Sequence, residues 1–194
     1  MSNLKVQGNA SGAGTTTLQS PNTSNSATIT LPYVSSADTL ASLGVAQTFT
    51  GTQTFAGSSS ALGAVVNDIA ETTTISATAA TGTINYDVTT QSVLYYTSNA
   101  SANWTVNFRG SSGTSLNTLM STGQAITVAF LVTQGGTAYY NNVVQVDGNS
   151  VTPKYQGGTA WTGGNASSID VYTYTIVKTG SAAFTVFASQ TKFA

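Results

Sequence analysis

The chain of 194 residues contains neither cysteine nor histidine. Without cysteine, a disulfide framework and a thiol nucleophile are excluded. Without histidine, the commonest general base is missing, and zinc sites of the Cys/His kind cannot form. Acid–base chemistry would have to rest on six carboxylates. These are Asp38, Asp68, Glu71, Asp87, Asp147 and Asp170.

A glycosidase needs two carboxylates that face one sugar ring. Asp68 and Glu71 are close in sequence, and Asp87 could lie on a neighbouring strand. Six carboxylates in a chain of this length make an accidental pair easy, so we interpret them as solvated groups of loops and strand ends. No Gly-x-Ser-x-Gly nucleophile elbow occurs either. We expect no enzymatic activity, no metal and no cofactor.

Charge is also scarce: 6% of the residues are charged, and the net charge is −1. The five cations are scattered, whereas a nucleic-acid binder needs several that converge on phosphates. No apolar run approaches the roughly 20 residues of a membrane span. The first residues lack the apolar core of a signal peptide. We therefore expect synthesis in the cytoplasm, with no nucleic-acid partner and no membrane insertion.

Small hydroxyl residues replace the missing charge, with 35 threonines and 24 serines. Threonine is β-branched and favours extended backbone, whereas serine, asparagine and glycine favour turns. Strong helix formers such as glutamate, lysine and arginine are rare. Hydrophobic residues still make up 40% of the chain and aromatic residues 9%, which is enough for a core. The composition predicts an all-β protein.

Residues 1–66 differ from the rest of the chain, because short apolar alternations are separated there by Gly, Ser and Asn. Leu4 alternates with Val6, and Ile29 alternates with Leu31. One copy of such a segment could not bury enough surface to fold alone, but three copies around one axis could share a core. We predict that residues 1–66 form an extended β segment for anchoring and trimerisation.

A short repeat supports this prediction: Gln47–Gly51 is followed by Gln53–Gly57. Its two aromatic residues, Phe49 and Phe55, are six positions apart and would face the same side of an extended strand. We expect them to be apolar anchors in the trimer core. A plain hairpin, or coincidence in a biased sequence, is the alternative.

Residues 67–194 read as one β-sandwich domain, jelly-roll-like, with many short strands and frequent turns. Asp147-Gly148 predicts a hairpin turn rather than a calcium loop, which would need more carboxylates. Ser115–Met120 is the one candidate helix, with Ser115 as its cap and Gly123 at its end. The candidate strands are Ile69–Ser76, Thr83–Val88, Ser92–Thr97, Trp104–Arg109, Gln124–Thr133, Val143–Asp147, Val151–Tyr155, Ile169–Lys178 and Ala183–Ser189.

The glycine-rich stretch from Tyr155 to Asn165 carries an aromatic pair, Tyr155 and Trp161. Exposed aromatic rings of this kind can stack on sugars, which makes the pair a candidate glycan contact. The glycine spacing does not match a dinucleotide or phosphate loop. Alternatively, Trp161 packs back on the sandwich as a lid, or packs against a neighbouring subunit.

The N-terminal part, with Thr28–Pro32 and the repeated Gln-Thr-Phe-x-Gly, resembles stem segments of tailed-phage fibre proteins. The C-terminal part resembles a domain of structural proteins of marine tailed phages, including those of cyanobacteria. The stretches that carry this second resemblance are Asn103–Gly110, Leu119–Gln124, Ile169–Thr173 and Ala188–Ala194.

The resemblance implies a virion component, commonly trimeric, on the tail or capsid surface, and it implies no catalytic residues. Because only some 60 residues precede the globular domain, we favour a compact short fibre or a capsid decoration protein over a long fibre. Its expected partners are further copies of itself and other virion proteins. An adhesin that binds a host surface glycan is the alternative, and a glycan depolymerase is a third reading.

Overall fold

The computed structural model describes residues 69–194, which fall within the predicted domain of residues 67–194. The predicted trimer and anchor contacts lie outside the described residues, as does Asp68. Those contacts are Leu4, Val6, Ile29, Leu31, Phe49 and Phe55.

Strands make up 54% of the described chain and helices 6%, so the all-β prediction is confirmed. A single helical turn, α1 (Leu116–Leu119), and a 3-10 turn at Gln156–Gly158 interrupt ten strands. The strands are β1 (Thr73–Ala79), β2 (Gly82–Asp87), β3 (Val93–Ser98), β4 (Trp104–Arg109), β5 (Ala125–Thr133), β6 (Asn141–Val146), β7 (Asn149–Val151), β8 (Lys154–Tyr155), β9 (Ile169–Gly180) and β10 (Ala183–Phe193).

The strands form two sheets, as expected of a sandwich. Sheet A has the order β1-β3-β5-β9-β10-β8, and sheet B has the order β2-β4-β6-β7. The first six strands alternate between the sheets, and each pairs in parallel with the strand two places away. The chain therefore winds as a flattened coil before β9 and β10 add antiparallel pairs. The alternation of apolar residues along each strand did not predict this parallel winding.

One predicted strand, Val151–Tyr155, is wrong in its extent. The structure divides it into β7, in sheet B, and β8, in sheet A. Pro153 lies between the two strands, and a proline has no N–H to give to a ladder. The chain therefore leaves one sheet at Pro153 and joins the other.

The core lies between the sheets and is rich in aromatic residues. In β9 the even-numbered residues are buried, including Tyr172 and Tyr174, which are 0% exposed. Phe130 of β5 is at the centre of the cluster. Its ring centroid lies 6.0 Å from that of Trp104 and 6.5 Å from that of Tyr86, both edge-to-face. Such aromatic pairs contribute about 0.5–1.5 kcal/mol each beyond the area they bury.

The turn between β6 and β7 confirms the predicted hairpin. Val146 pairs with Asn149, so the loop is the two residues Asp147 and Gly148. Their φ angles of 50° and 79° place both in the left-handed region that a type I′ hairpin requires.

The predicted helix is present as α1, with Ser115 as its N-cap: the Ser115 side chain accepts a hydrogen bond from the N–H of Thr118 at 3.0 Å. The helix ends at Leu119, ahead of Gly123, which instead serves the turn into β5 with a φ of 89°. In the described part of the chain, no helix combines the length and the apolar character needed to cross a bilayer.

The two leucines of α1 give a matched test of the core. Leu116 is 0% exposed and Leu119 is 46% exposed. We expect Leu116→Ala to lower the free energy of unfolding by about 2–5 kcal/mol, because it removes buried methyl groups and leaves a cavity. Leu119→Ala should change it by less than about 0.5 kcal/mol. Urea unfolding followed by circular dichroism would measure both, and equal losses would contradict the described packing of α1.

Candidate functional site

The loop between β8 and β9, residues 156–168, is called the aromatic loop below. It contains Trp161 and directly follows Tyr155, the other predicted aromatic contact. It brings Trp161 against Tyr155, with ring centroids 4.8 Å apart and the rings nearly perpendicular. Both side chains are half-buried. The structure therefore places the two predicted glycan-contact residues side by side.

Trp161 is held from beneath as well. Its indole N–H donates a hydrogen bond of 2.6 Å to the backbone oxygen of Asn141. Its ring centroid lies 5.2 Å from that of Tyr172 and 6.4 Å from that of Tyr174, both core residues of β9. These contacts make Trp161 a lid on the sandwich, which favours the packing interpretation of the aromatic pair.

Asn141, the first residue of β6, is the polar centre beneath this lid and is 2% exposed. Its side-chain N–H groups donate to the backbone oxygen of Trp104 at 2.9 Å and to that of Val143 at 2.8 Å. Its side-chain oxygen accepts the hydroxyl hydrogen of Tyr174 at 2.9 Å. One amide thus joins β4, β6 and β9 across the two sheets. Sequence reasoning missed it, because asparagine is abundant in this chain and its neighbours mark no motif.

Burial raises the pKa of Tyr172 and Tyr174 above the ordinary tyrosine value. Both phenols therefore remain protonated at neutral pH. This matters for Tyr174, because the neutral phenol is the form that donates to Asn141. The network beneath the lid is thus made of neutral groups and holds no proton ready for transfer near pH 7.

Asp170, near the start of β9, is a second buried polar centre and is 0% exposed. Its Oδ2 accepts hydrogen bonds of 3.0 Å from the side-chain amide of Gln134 and from the backbone N–H of Asn165. Its Oδ1 has no hydrogen-bond partner. Burial raises the pKa of this carboxyl group, and the two hydrogen bonds and the nearby Lys192 oppose the rise.

Gly164 lies so close to this centre that no side chain fits there. A Cβ atom at residue 164 would meet the backbone oxygen of Tyr139 and would lie 2.6 Å from Asp170 Oδ2. Gln134 completes the cluster, since its side chain donates to the backbone oxygen of Tyr139 at 2.7 Å and accepts from its N–H at 2.9 Å. The cluster fastens the far end of the aromatic loop to sheet A.

The remaining carboxylates that the structure describes have separate places. Asp87 pairs with Arg109 on the neighbouring strand, with an Oδ1–Nε distance of 2.5 Å. Asp147 accepts hydrogen bonds from the backbone N–H groups of Leu116 and Asn117 at 2.6 and 2.9 Å, and so caps α1. Glu71 is exposed just ahead of β1. Burial, and to a smaller extent the charge of Glu71, raise the pKa of Tyr86, the neighbour of Asp87 in β2.

A depression of about 520 Å³ lies where β5 ends and β9 begins. Asn99, Gly135, Ser167 and Phe193 are among its lining residues. The amide and hydroxyl side chains of this lining can form hydrogen bonds, but none of the lining side chains is an acid or a base that titrates near neutral pH. Among residues 69–194, no three acidic side chains converge as a metal site would require.

No protein-family model, curated protein or solved structure matches this chain.

Two adjacent asparagines test the polar centre of the sandwich. Asn141→Ala leaves the backbone oxygens of Trp104 and Val143 and the Tyr174 hydroxyl without their partner. Each buried group left unsatisfied costs about 1–3 kcal/mol, so we expect a loss of at least about 3 kcal/mol in the free energy of unfolding. The exposed Asn142→Ala is the control and should stay near the wild type. Urea unfolding would distinguish them, and a wild-type midpoint for Asn141→Ala would contradict the role assigned to the amide.

Asp170 predicts a particular pH dependence. Because its pKa is raised in the folded state, the folded protein binds this proton more tightly than the unfolded chain does. The stability of the wild type relative to Asp170→Asn should therefore rise as the pH falls from 7 towards the ordinary aspartate range, and it should level off below that range. Thermal unfolding of both proteins between pH 7 and pH 3 would measure the difference, in which the other carboxylates cancel. A difference that falls with falling pH would show that the folded state favours the charged carboxylate.

Proposed function

We propose that this protein is a non-enzymatic structural component of a tailed-phage virion surface. It would be a homotrimeric short fibre or capsid decoration protein, made in the host cytoplasm and attached through residues 1–66. The β-sandwich of residues 67–194 would project from the particle.

The observation that carries this proposal is the set of contacts that the charged side chains of the described domain make. Asp87 and Arg109 pair with each other. Asp147 caps the start of α1, and Lys178 donates to the backbone oxygens of Asn117 and Met120 near its end. These four charged side chains thus hold strands and loops together, which supports a structural role.

The resemblance to phage fibre and marine-phage structural proteins is the reason for proposing a virion component. The shortage of apolar residues in residues 1–66 is the reason for proposing a trimer. A protein stabilised by assembly can tolerate few charges and no disulfides, because partner binding adds to the stability of each copy. Both features agree with a subunit of a larger particle.

The experiment for this proposal is mass spectrometry of density-purified tailed-phage particles from a host culture that carries the coding sequence. We expect the protein in the particle fraction at a fixed ratio to the major capsid or tail protein. Gold-labelled antibody in electron microscopy would then assign it to head or tail. Recovery of the protein only from the particle-free supernatant would refute the virion role.

The trimer can be tested through the two phenylalanines of the repeat. We expect Phe49→Asp with Phe55→Asp to lower the molar mass in light scattering from about three times 19.7 kDa to that of one chain, because a charge in an apolar core is strongly unfavourable. Thr50→Asp with Thr54→Asp is the matched control, since those positions would face the opposite side of the strand. A full-length wild type that is already a monomer would refute the shared core.

The glycan-binding alternative depends on Tyr155 and Trp161. The Trp161 indole N–H is engaged by Asn141, and the rings pack against Tyr172 and against each other. This arrangement favours packing over sugar stacking, so we do not carry the adhesin forward as a second function.

A further inference from the structure

The outward face of sheet A is formed by the odd-numbered residues of β1 (as far as its bulge after Ser76), β3, β5, β9 and β10. The buried residues of these strands are at even positions. We call this outward face the outer face of sheet A. One in-register row crosses all five strands and is apolar in four of its five positions. The row is Ile75, Tyr95, Leu131, Val171 and Thr191.

This face carries no charged side chain in any of those five strands. Their charged residues occupy even positions instead: Asp170 and Lys178, both buried, and Lys192, which pairs in register with Asp170. A sheet with one face in water normally has its charged residues on the outward face and apolar residues on the inward face. The missing charge on the outward face of sheet A indicates that this face is covered in the assembled protein.

The opposite surface of the same domain provides an internal comparison. The outward side chains of sheet B include the Asp87–Arg109 ion pair and the Asn85–Asn107 hydrogen bond of 2.9 Å. Sheet B therefore follows the usual rule for a solvated face. The absence of charge on the outer face of sheet A is thus a property of that face and not only of the composition.

Its hydroxyl groups are partly satisfied within the sheet. The hydroxyls of Thr127 and Thr175 bond to each other at 2.9 Å, and the Thr97 hydroxyl donates to the backbone oxygen of Ser76 at 3.1 Å. A hydroxyl that already has a partner costs less to remove from water than a free one. Large apolar groups are exposed on the same face, with Ile75 at 68%, Phe187 at 49% and Phe193 at 54%.

We propose that the outer face of sheet A is an interface that binds the same face of a second copy of this chain. An uncharged face opposite its own copy meets no like-charge repulsion, and it offers no charge complement to a charged partner such as a nucleic acid. Lys154, on the edge strand β8 beside Phe187, marks the border of the face.

The size of the face is sufficient for self-association. Five strands about 4.8 Å apart, with roughly eight residues each at about 3.3 Å per residue, cover about 600 Å². Two such faces bury roughly 1,200 Å² in total, the lower end of the range for specific protein interfaces. A face that binds itself joins two chains by twofold symmetry. This contact is therefore additional to the threefold contacts of the proposed function, which rest on residues 1–66.

The test uses the absence of cysteine, which makes any introduced thiol unique. Thr127→Cys places the thiol at an exposed position of the outer face of sheet A, and Thr83→Cys places it at an exposed position on sheet B. In the purified full chain we expect maleimide labelling of Thr127→Cys to be lost and that of Thr83→Cys to be complete. Both variants should label fully in denaturant.

A charge on the face should reverse the protection. We expect the double variant Val171→Glu/Thr127→Cys to label fully, because Val171 lies in the apolar row. The matched double variant Val143→Glu/Thr127→Cys, with the same change on the outward side of sheet B, should remain protected. Circular dichroism would confirm that both fold. If Val171→Glu unfolds the chain, the comparison of the two single cysteine variants still decides the question.

The remaining outcomes overturn the interface. Equal labelling of the two single cysteine variants in an oligomer would contradict this interface alone and leave the proposed trimer standing. Protection of Thr127→Cys in a chain that light scattering shows to be a monomer would mean that residues 1–68 cover the face. Protection that persists in Val171→Glu/Thr127→Cys would place the cause of protection elsewhere.

Discussion

The side-chain amide of Asn141 is the contact on which the architecture of the domain depends. Two sheets that pack face to face need mainly apolar contact, and a polar group between them is tolerated only if its hydrogen-bonding groups find partners. Asn141 meets this condition by bonding the backbone of β4 and β6 and the Tyr174 hydroxyl of β9. These bonds have direction, whereas apolar contacts do not. The amide therefore fixes how sheet B is placed on sheet A, and its backbone oxygen fixes the position of Trp161 above both.

Several charged side chains of this domain likewise hold parts of the chain together. Lys178 lies against the carbonyl end of α1 and Asp147 against its N–H end, as the helix dipole favours. Asp170 fastens the aromatic loop. Because only 6% of the residues are charged, few charges remain to keep the surface soluble. In the proposed arrangement the polar outward side of sheet B faces water, and the uncharged outer face of sheet A binds another copy of the chain.

The sequence predicted the strands well where alternation was clear. The predicted bounds of β4, Trp104–Arg109, agree with the structure, and the hairpin predicted at Asp147-Gly148 is present. Both predictions succeeded because they depend only on neighbouring residues in the sequence. The parallel winding could not be predicted in this way, since alternation along one strand carries no information about the direction of its neighbour. Asn141 was missed for a related reason. Its partners Trp104 and Tyr174 are 37 and 33 residues away, and nothing local distinguishes it from the adjacent Asn142.

The sequence predicted the two aromatic residues of the candidate site but not the contacts beneath them. Tyr155 and Trp161 do meet, as a short glycine-rich loop between them allows. What lies beneath them could not be inferred, because the Asn141 oxygen and the Tyr172 ring come from strands on either side of the loop in sequence. Asp170 was interpreted as a solvated strand-end carboxylate, and this interpretation is wrong, since its side chain is buried beneath the loop.

The alternation of the first six strands between the sheets has a consequence for how the chain folds. No two consecutive strands among them are hydrogen-bonded to each other, and the first hairpin in the described chain is the one that joins β6 to β7. During synthesis β1 has no partner until β3 has emerged, and β3 still lacks β5. Pairing between strands so far apart in sequence is slow, because a long loop must close before any contact rewards it. The growing chain would therefore expose unpaired strands until their partners have emerged, a stage at which a chain is prone to aggregate.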